Sequence, residues 1–202
     1  GAMKTPKTGL LHAALQAGQD DLKIVPMAVA YDFVLEDQVL AHQGVKRQQR
    51  PFARELAEMV RYGVGYRSRA FVTFGAPVPL GGYDPCSRRE VMGLASRIGD
   101  LIGKLHKVLP TALVSAAMRP SIELAELTDR IDGLIEVLRS NNANLAVSTG
   151  QQALNEAIEP MIERGIVILD GTKCRVRERI VLRYYARSIQ HLLSPRSDQA
   201  TH

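Results

Sequence analysis

Leu22-Lys23-Ile24-Val25-Pro26-Met27-Ala28-Val29-Ala30-Tyr31 reads as a buried strand. A short, nearly unbroken apolar run with Ile24, Val25 and Val29 suits a strand covered on both faces. Pro26 interrupts it. A proline donates no ladder hydrogen bond, so the run needs an edge, a bulge or a functional bend there. Residues 69–74, Arg-Ala-Phe-Val-Thr-Phe, form a second strand, stopped by Gly75 and Pro77. Between the two, Pro51 suits the first position of a helix over residues 52–62, which Gly63 and Gly65 end. A helix between two hydrophobic strands is the βαβ pattern of an α/β layer. Upstream, residues 8–17 carry a short helical pattern with Leu10, Leu11, Ala14 and Leu15 on one side.

Gly81-Gly82-Tyr83-Asp84-Pro85 marks a boundary, and the pattern changes after it. Residues 87–108 carry a helical stripe of Val91, Leu94, Ala95, Ile98, Leu101, Ile102 and Leu105, closed by Pro110. A short helix spans 111–118. A third stripe runs from Leu124 to Leu138 and ends at Asn141-Asn142. A fourth helix covers 151–164, with Pro160 inside it as a kink and Gly165 as its cap. Residues 166–169 and 173–176 flank Asp170-Gly171 as a β-hairpin. A last helix covers 180–193, with Leu182, Tyr185, Ile189 and Leu192 on one face. The expected fold class is α/β followed by mostly α. It divides into an α/β part over residues 4–82 and a helical module with a β-hairpin over 83–193, preceded by a cloning remnant at 1–3 and followed by a frayed tail at 194–202.

The bulk composition agrees with a globular chain. With 46% hydrophobic residues it can bury a core, and with only 5% aromatics that core is aliphatic. The longest strongly apolar run, residues 24–31, is far shorter than the ~18 residues of a membrane span. Cys86 and Cys174 lie far apart and read as ordinary thiols of a reduced, intracellular protein. The expected location is the cytoplasm or the cytoplasmic face of a membrane. Charge is concentrated. Lys46, Arg47, Arg50, Arg54, Arg61, Arg67 and Arg69 face only Glu55 and Glu58, so residues 42–69 alone carry 7 − 2 = +5, the net charge of the whole chain. Such a patch attracts phosphates, coenzyme A, acidic lipid or nucleic acid, and equally suits a solvated basic face.

A search for chemistry returns little. His12, His42, His106, His191 and His202 form no metal-type spacing with one another or with the cysteines. There is no Cys-x-x-Cys, phosphate-binding loop, dinucleotide glycine pattern or nucleophile elbow. His106 and His191 read as helix-terminal or helix-face residues. Helix, helix and hairpin over 124–176 resemble a winged helix-turn-helix, which raises a nucleic-acid reader. Charge opposes it. Residues 111–178 hold seven basic against ten acidic residues, and the helix in the recognition position carries Glu156, Glu159 and Glu163 with no cation before Arg164.

Several stretches, in order, carry a family resemblance. Ile24-Val25-Pro26-Met27-Ala28-Val29-Ala30-Tyr31-Asp32 resembles the fourth conserved block of glycerol-3-phosphate acyltransferases of the bacterial membrane and mitochondrial type, a hydrophobic strand of the form Ile-Val-Pro-Val followed by Tyr and an acid. Thr5-Pro6-Lys7-Thr8-Gly9 is similar to that family's Pro-Lys-x-Gly segment. Gly44-Val45-Lys46 is similar to its Gly-x-x-Lys segment with one residue fewer, and Phe74-Gly75-Ala76-Pro77 to its Phe-Gly-x-Pro run. Pro110-Thr111-Ala112-Leu113-Val114 and Leu182-Arg183-Tyr184-Tyr185-Ala186 look like its C-terminal region. The resemblance runs from Thr5 to Leu193. The family's catalytic His and Asp, four residues apart, and its Glu-Gly-x-Arg-Ser-Arg motif are absent from this sequence. Gln48, Gln49 and Arg50 stand where the family has Glu-Ser.

The resemblance implies a membrane-associated enzyme of phospholipid biosynthesis. Acyl-coenzyme A or acyl carrier protein is the co-substrate, the 1-hydroxyl of glycerol 3-phosphate is the acceptor, and no further cofactor or metal takes part. It implies a rear portion that is inactive alone, in which Lys7 contacts phosphate at a helix start, Pro26 shapes the pocket and Lys46 lies on the substrate side. The alternative is a non-catalytic interaction or regulatory module. The 42–69 patch then suits coenzyme A phosphates or anionic lipid. An exposed edge of a partial sheet suits pairing between two copies.

Overall fold

The computed structural model describes residues 7–18, 21–34, 37 and 68–193. The expected helix at 52–62, Lys46, most of the 42–69 patch and the tail at 194–202 lie outside the described residues. The chain is a mixed α/β protein, about half helical among the described residues, with small separate sheets. None of the described helices is long and apolar enough to cross a membrane.

The front part is built from α1 (Gly9–Gln16), β1 (Lys23–Ile24), β2 (Met27–Tyr31), β3 (Ala70–Phe74) and β4 (Val78–Pro79). The decisive run is two strands rather than one. β1 pairs antiparallel with β4, and β2 pairs antiparallel with β3 from Met27↔Phe74 to Tyr31↔Ala70. The break falls at Val25-Pro26. Pro26 has no N–H to give, and its carbonyl instead accepts from Gly75 N at 2.8 Å. Antiparallel β2 and β3 also correct the βαβ expectation, since that unit requires parallel strands. Nor is β2 buried on both faces. Ala28 and Ala30 point inward, while Met27, Val29 and Tyr31 are exposed beside Val72 and Phe74 of β3. In α1, Leu15 is buried and Leu11 and Ala14 pack half-buried against the same cluster near α2 (Arg88–Leu105), while Leu10 is exposed, so three of the four expected stripe residues face the core.

Ser87 caps α2 by accepting from Glu90 N, as the serine at a helix start predicts. The helix ends at Leu105. Lys107–Val108 leaves it as β5, parallel to β7 (Asn144–Leu145). Then come α3 (Pro110–Ala117), β6 (Ser121–Glu123), α4 (Leu124–Ser140), α5 (Gly150–Glu163), β8 (Val167–Asp170) and β9 (Lys173–Val176). Strands β6, β9 and β8 form one antiparallel sheet in that order. The Asp170↔Lys173 pairing puts the hairpin turn at Gly171-Thr172. The three-residue strand β6 was too short to read from periodicity. The expected last helix is two pieces, α6 (Arg179–Arg187) and α7 (Gln190–Leu193).

Helix α3 sits at the centre, packed by α4, α5 and α6. Its proline at the first helical position suits a helix start. Leu113 and Val114 are fully buried, with Leu127, Ile131 and Leu138 of α4, Ala153, Ala157 and Met161 of α5, and Val181 and Tyr185 of α6 around them. Burying each large aliphatic side chain contributes roughly 1.5–3 kcal/mol, so this aliphatic cluster is the main source of cohesion. Gly165 caps α5 with φ +66°, a left-handed conformation that favours glycine. At the other end of α5, Gly150 lets the backbone approach α4. Its N–H donates to Asp132 Oδ1 at 2.6 Å, and a Cβ there would overlap the Thr128 carbonyl oxygen.

Candidate functional site

The front strands meet the helical module at a cleft of about 170 Å³, lined by Val29, Tyr31, His106, Thr111, Tyr184 and Ser188 among others. This cleft is smaller than the about 300 Å³ at which typical ligand pockets begin. Beside it lies a buried polar joint. Asp37 is 1% exposed at its side chain; its Oδ2 is 2.9 Å from Arg164 Nη2 and accepts from the Tyr185 hydroxyl at 2.6 Å. The Tyr185 oxygen in turn accepts from Val34 N at 3.1 Å, and Arg164 Nη2 donates to the Val34 carbonyl at 3.1 Å. The Arg164 guanidinium lies over the Phe33 ring, which meets Tyr185 edge-on. Burial first, and then the Asp37 carboxylate, push the Tyr185 phenol far up, so its hydroxyl stays protonated and donates. The cluster therefore clamps Phe33, Val34 and Asp37 onto the C-terminal end of α5 and onto α6.

A second link runs through Arg69. Its Nε is 2.6 Å from Asp32 Oδ2 and its Nη2 is 2.9 Å from Glu156 Oε2. Asp32 is largely buried, while Arg69 is 62% exposed at its side chain, so solvent screens this bridge strongly. Arg69 belongs to the basic 42–69 stretch, and here it is neutralised by two acids rather than presented to an outside anion. Glu156 comes from the helix whose acidity opposed nucleic acid.

His106 and His191 lie 5.9 Å apart, ring centre to ring centre, at the mouth of α2. His191 Nε2 is 3.2 Å from the Gly103 carbonyl. Burial, then the neighbouring His191, lower the His106 pKa, so this ring is neutral at pH 7 and acts as a packing group. Sequence placed these two histidines on separate helices with no link between them. Cys174 is buried and its thiol is pushed up to about 11 by burial, which makes it inert; Cys86 is exposed.

Of the sequence-derived site residues, Lys7 is exposed just before α1 and forms no ion pair among the described residues. Pro26 is buried, with Gly75 between it and Leu105. No recorded contact joins Lys7 to Pro26, and Lys46 lies outside the described residues. The residues that converge, Asp37, Arg164 and Tyr185, were not singled out together. The one signal for them is a tyrosine with a polar tip on the buried face of α6. Among the described residues, no group of three or more His, Cys, Asp or Glu is placed to hold a metal. The carboxylate, guanidinium and phenol of the joint bond to one another, which is the chemistry of a fastening. No family model and no curated protein matches this chain.

Proposed function

We propose that this chain is the rear portion of a glycerol-3-phosphate 1-O-acyltransferase, a scaffold for acceptor and acyl donor that does not itself carry the acyl-transfer groups. The observation that carries this reading is the pairing of β2 with β3. The two stretches most similar to the family, Ile24 to Asp32 and Phe74 to Pro77, are distant in sequence yet meet at Met27↔Phe74 and through the Gly75 N–H bond to Pro26. Their outward face, with Val29, Tyr31, Val72 and Phe74, is apolar and exposed, as expected of one piece of a larger α/β layer. Leu182 to Ala186, the C-terminal stretch of the resemblance, supplies Tyr185 to the clamp on Val34 and Asp37. On this reading Pro26 shapes the acceptor side of that layer, and Lys7 and Lys46 serve phosphate.

The second part has the helix, strand, helix, helix, hairpin order of a winged helix, with β9 between β6 and β8. That observation favours a second reading, a non-catalytic interaction module. Glu156, Glu159 and Glu163 on α5 argue against nucleic acid as its partner, since a duplex-reading helix places cations against phosphates. Thiol release from acyl-coenzyme A in the presence of glycerol 3-phosphate tests the first reading. The chain alone is expected to stay at the uncatalysed background. Glycerol-3-phosphate-dependent turnover by the chain alone would overturn the non-catalytic assignment.

A further inference from the structure

The charges of the helical module are unevenly spread over its helices. Acids concentrate on α4 and α5: Glu126, Asp129, Asp132 and Glu136 on the first, Glu156, Glu159 and Glu163 on the second. Helix α6 carries Arg179, Arg183 and Arg187 and no acid. Both α5 and α6 pack on the buried α3. The three arginines follow at i, i+4 and i+8, forming one ridge about 12 Å long on the side away from Val181, Leu182 and Tyr185. All three are exposed and none has an ion pair or hydrogen-bond partner at its side chain among the described residues. The cations of the neighbouring hairpin differ: Lys173 pairs with Glu123 and Arg175 with Asp170.

We infer that the Arg179–Arg183–Arg187 ridge is a docking surface for an anionic lipid bilayer. Three guanidinium groups in a row, without an ion-pair partner among the described residues and with the partly exposed Ile180 beside them, match a plane of headgroup phosphates, which demands no shape complementarity. A protein interface would bring an apolar core to the same face. A duplex reader would free the hairpin cations and not neutralise them. This inference stands apart from the acyl-transfer reading and survives its failure.

Co-sedimentation with vesicles tests it. Phosphatidylcholine vesicles containing about one-third phosphatidylglycerol are expected to retain the chain, pure phosphatidylcholine vesicles are not, and added salt weakens the retention. Each arginine contributes about a fivefold gain in partitioning, so R179Q/R183Q/R187Q together lose on the order of 100-fold. R179K/R183K/R187K keeps the charge and retains binding to within a few-fold; circular dichroism confirms that both variants fold. Equal binding to both vesicle types, or unchanged binding by the glutamine variant, overturns the inference. Preference for duplex DNA over the anionic vesicles at equal salt also overturns it, in favour of nucleic acid.

Discussion

Asp37→Ala is expected to lower the free energy of unfolding by about 3–5 kcal/mol, the usual loss when one partner of a buried ion pair is removed. Asp37 is 1% exposed at its side chain and Arg164 15%, so neither charge is well screened by water. The carboxylate also takes the Tyr185 hydroxyl proton at 2.6 Å, a charge-assisted bond in a largely buried site. With alanine there, Arg164 loses this carboxylate and Tyr185 loses its acceptor. Asp37→Asn keeps an oxygen for Tyr185 but not the charge, and its loss is expected to be smaller. Urea unfolding monitored by circular dichroism measures both. A shifted midpoint with unchanged slope reports stability. A loss below about 1 kcal/mol for Asp37→Ala would mean that the joint does not fasten the front part to the module.

Gly150→Ala carries the second large effect, and its sign opposes simple propensity. Glycine within a helix costs up to about 1 kcal/mol relative to alanine, so helix propensity alone forecasts a gain. The close approach of α5 to α4 reverses this. A Cβ at Gly150 would overlap the Thr128 carbonyl oxygen and sit 3.0 Å from Asp132 Oδ2. Backbone cannot swing aside as a long side chain can. Moving α5 would also stretch the Gly150 N–H bond to Asp132 at 2.6 Å. Overpacking of this kind costs about 1–3 kcal/mol. The thermal midpoint is expected to fall, and a rise would show that α4 and α5 are less tightly apposed than described.

The helices were legible because their apolar stripes repeat at the helical period over many residues. Val91, Leu94 and Ala95 mark α2, and Leu127, Ile131 and Leu138 mark α4; all six are buried. The hairpin was legible from two β-prone runs around a glycine turn. Strand orientation was not. A hydrophobic strand reads alike whether its partner runs parallel or antiparallel, and the buried alanines of β2 gave its inward face no stronger signal than Met27 or Val29 on the outside. Strands β5, β6 and β7 have two or three residues each, below the length at which alternation can be recognised. The joint was hidden for another reason. Asp37, Arg164 and Tyr185 are brought together only by tertiary packing, over separations of 127 and 148 residues, so no local spacing announces them. The same holds for His106 and His191, whose rings meet edge-on and which each looked like a residue at a helix end.

The central claim, that this chain supplies scaffold and not chemistry to acyl transfer, is tested most directly by reconstitution. Thiol release from acyl-coenzyme A with glycerol 3-phosphate would be measured for this chain, for a separate segment carrying the family's His-x4-Asp motif, and for the two together. The account predicts background rates for this chain alone and a rate for the mixture well above the sum of the parts. A mixture no faster than that sum, with both parts folded and associated, would contradict it, as would turnover by this chain on its own.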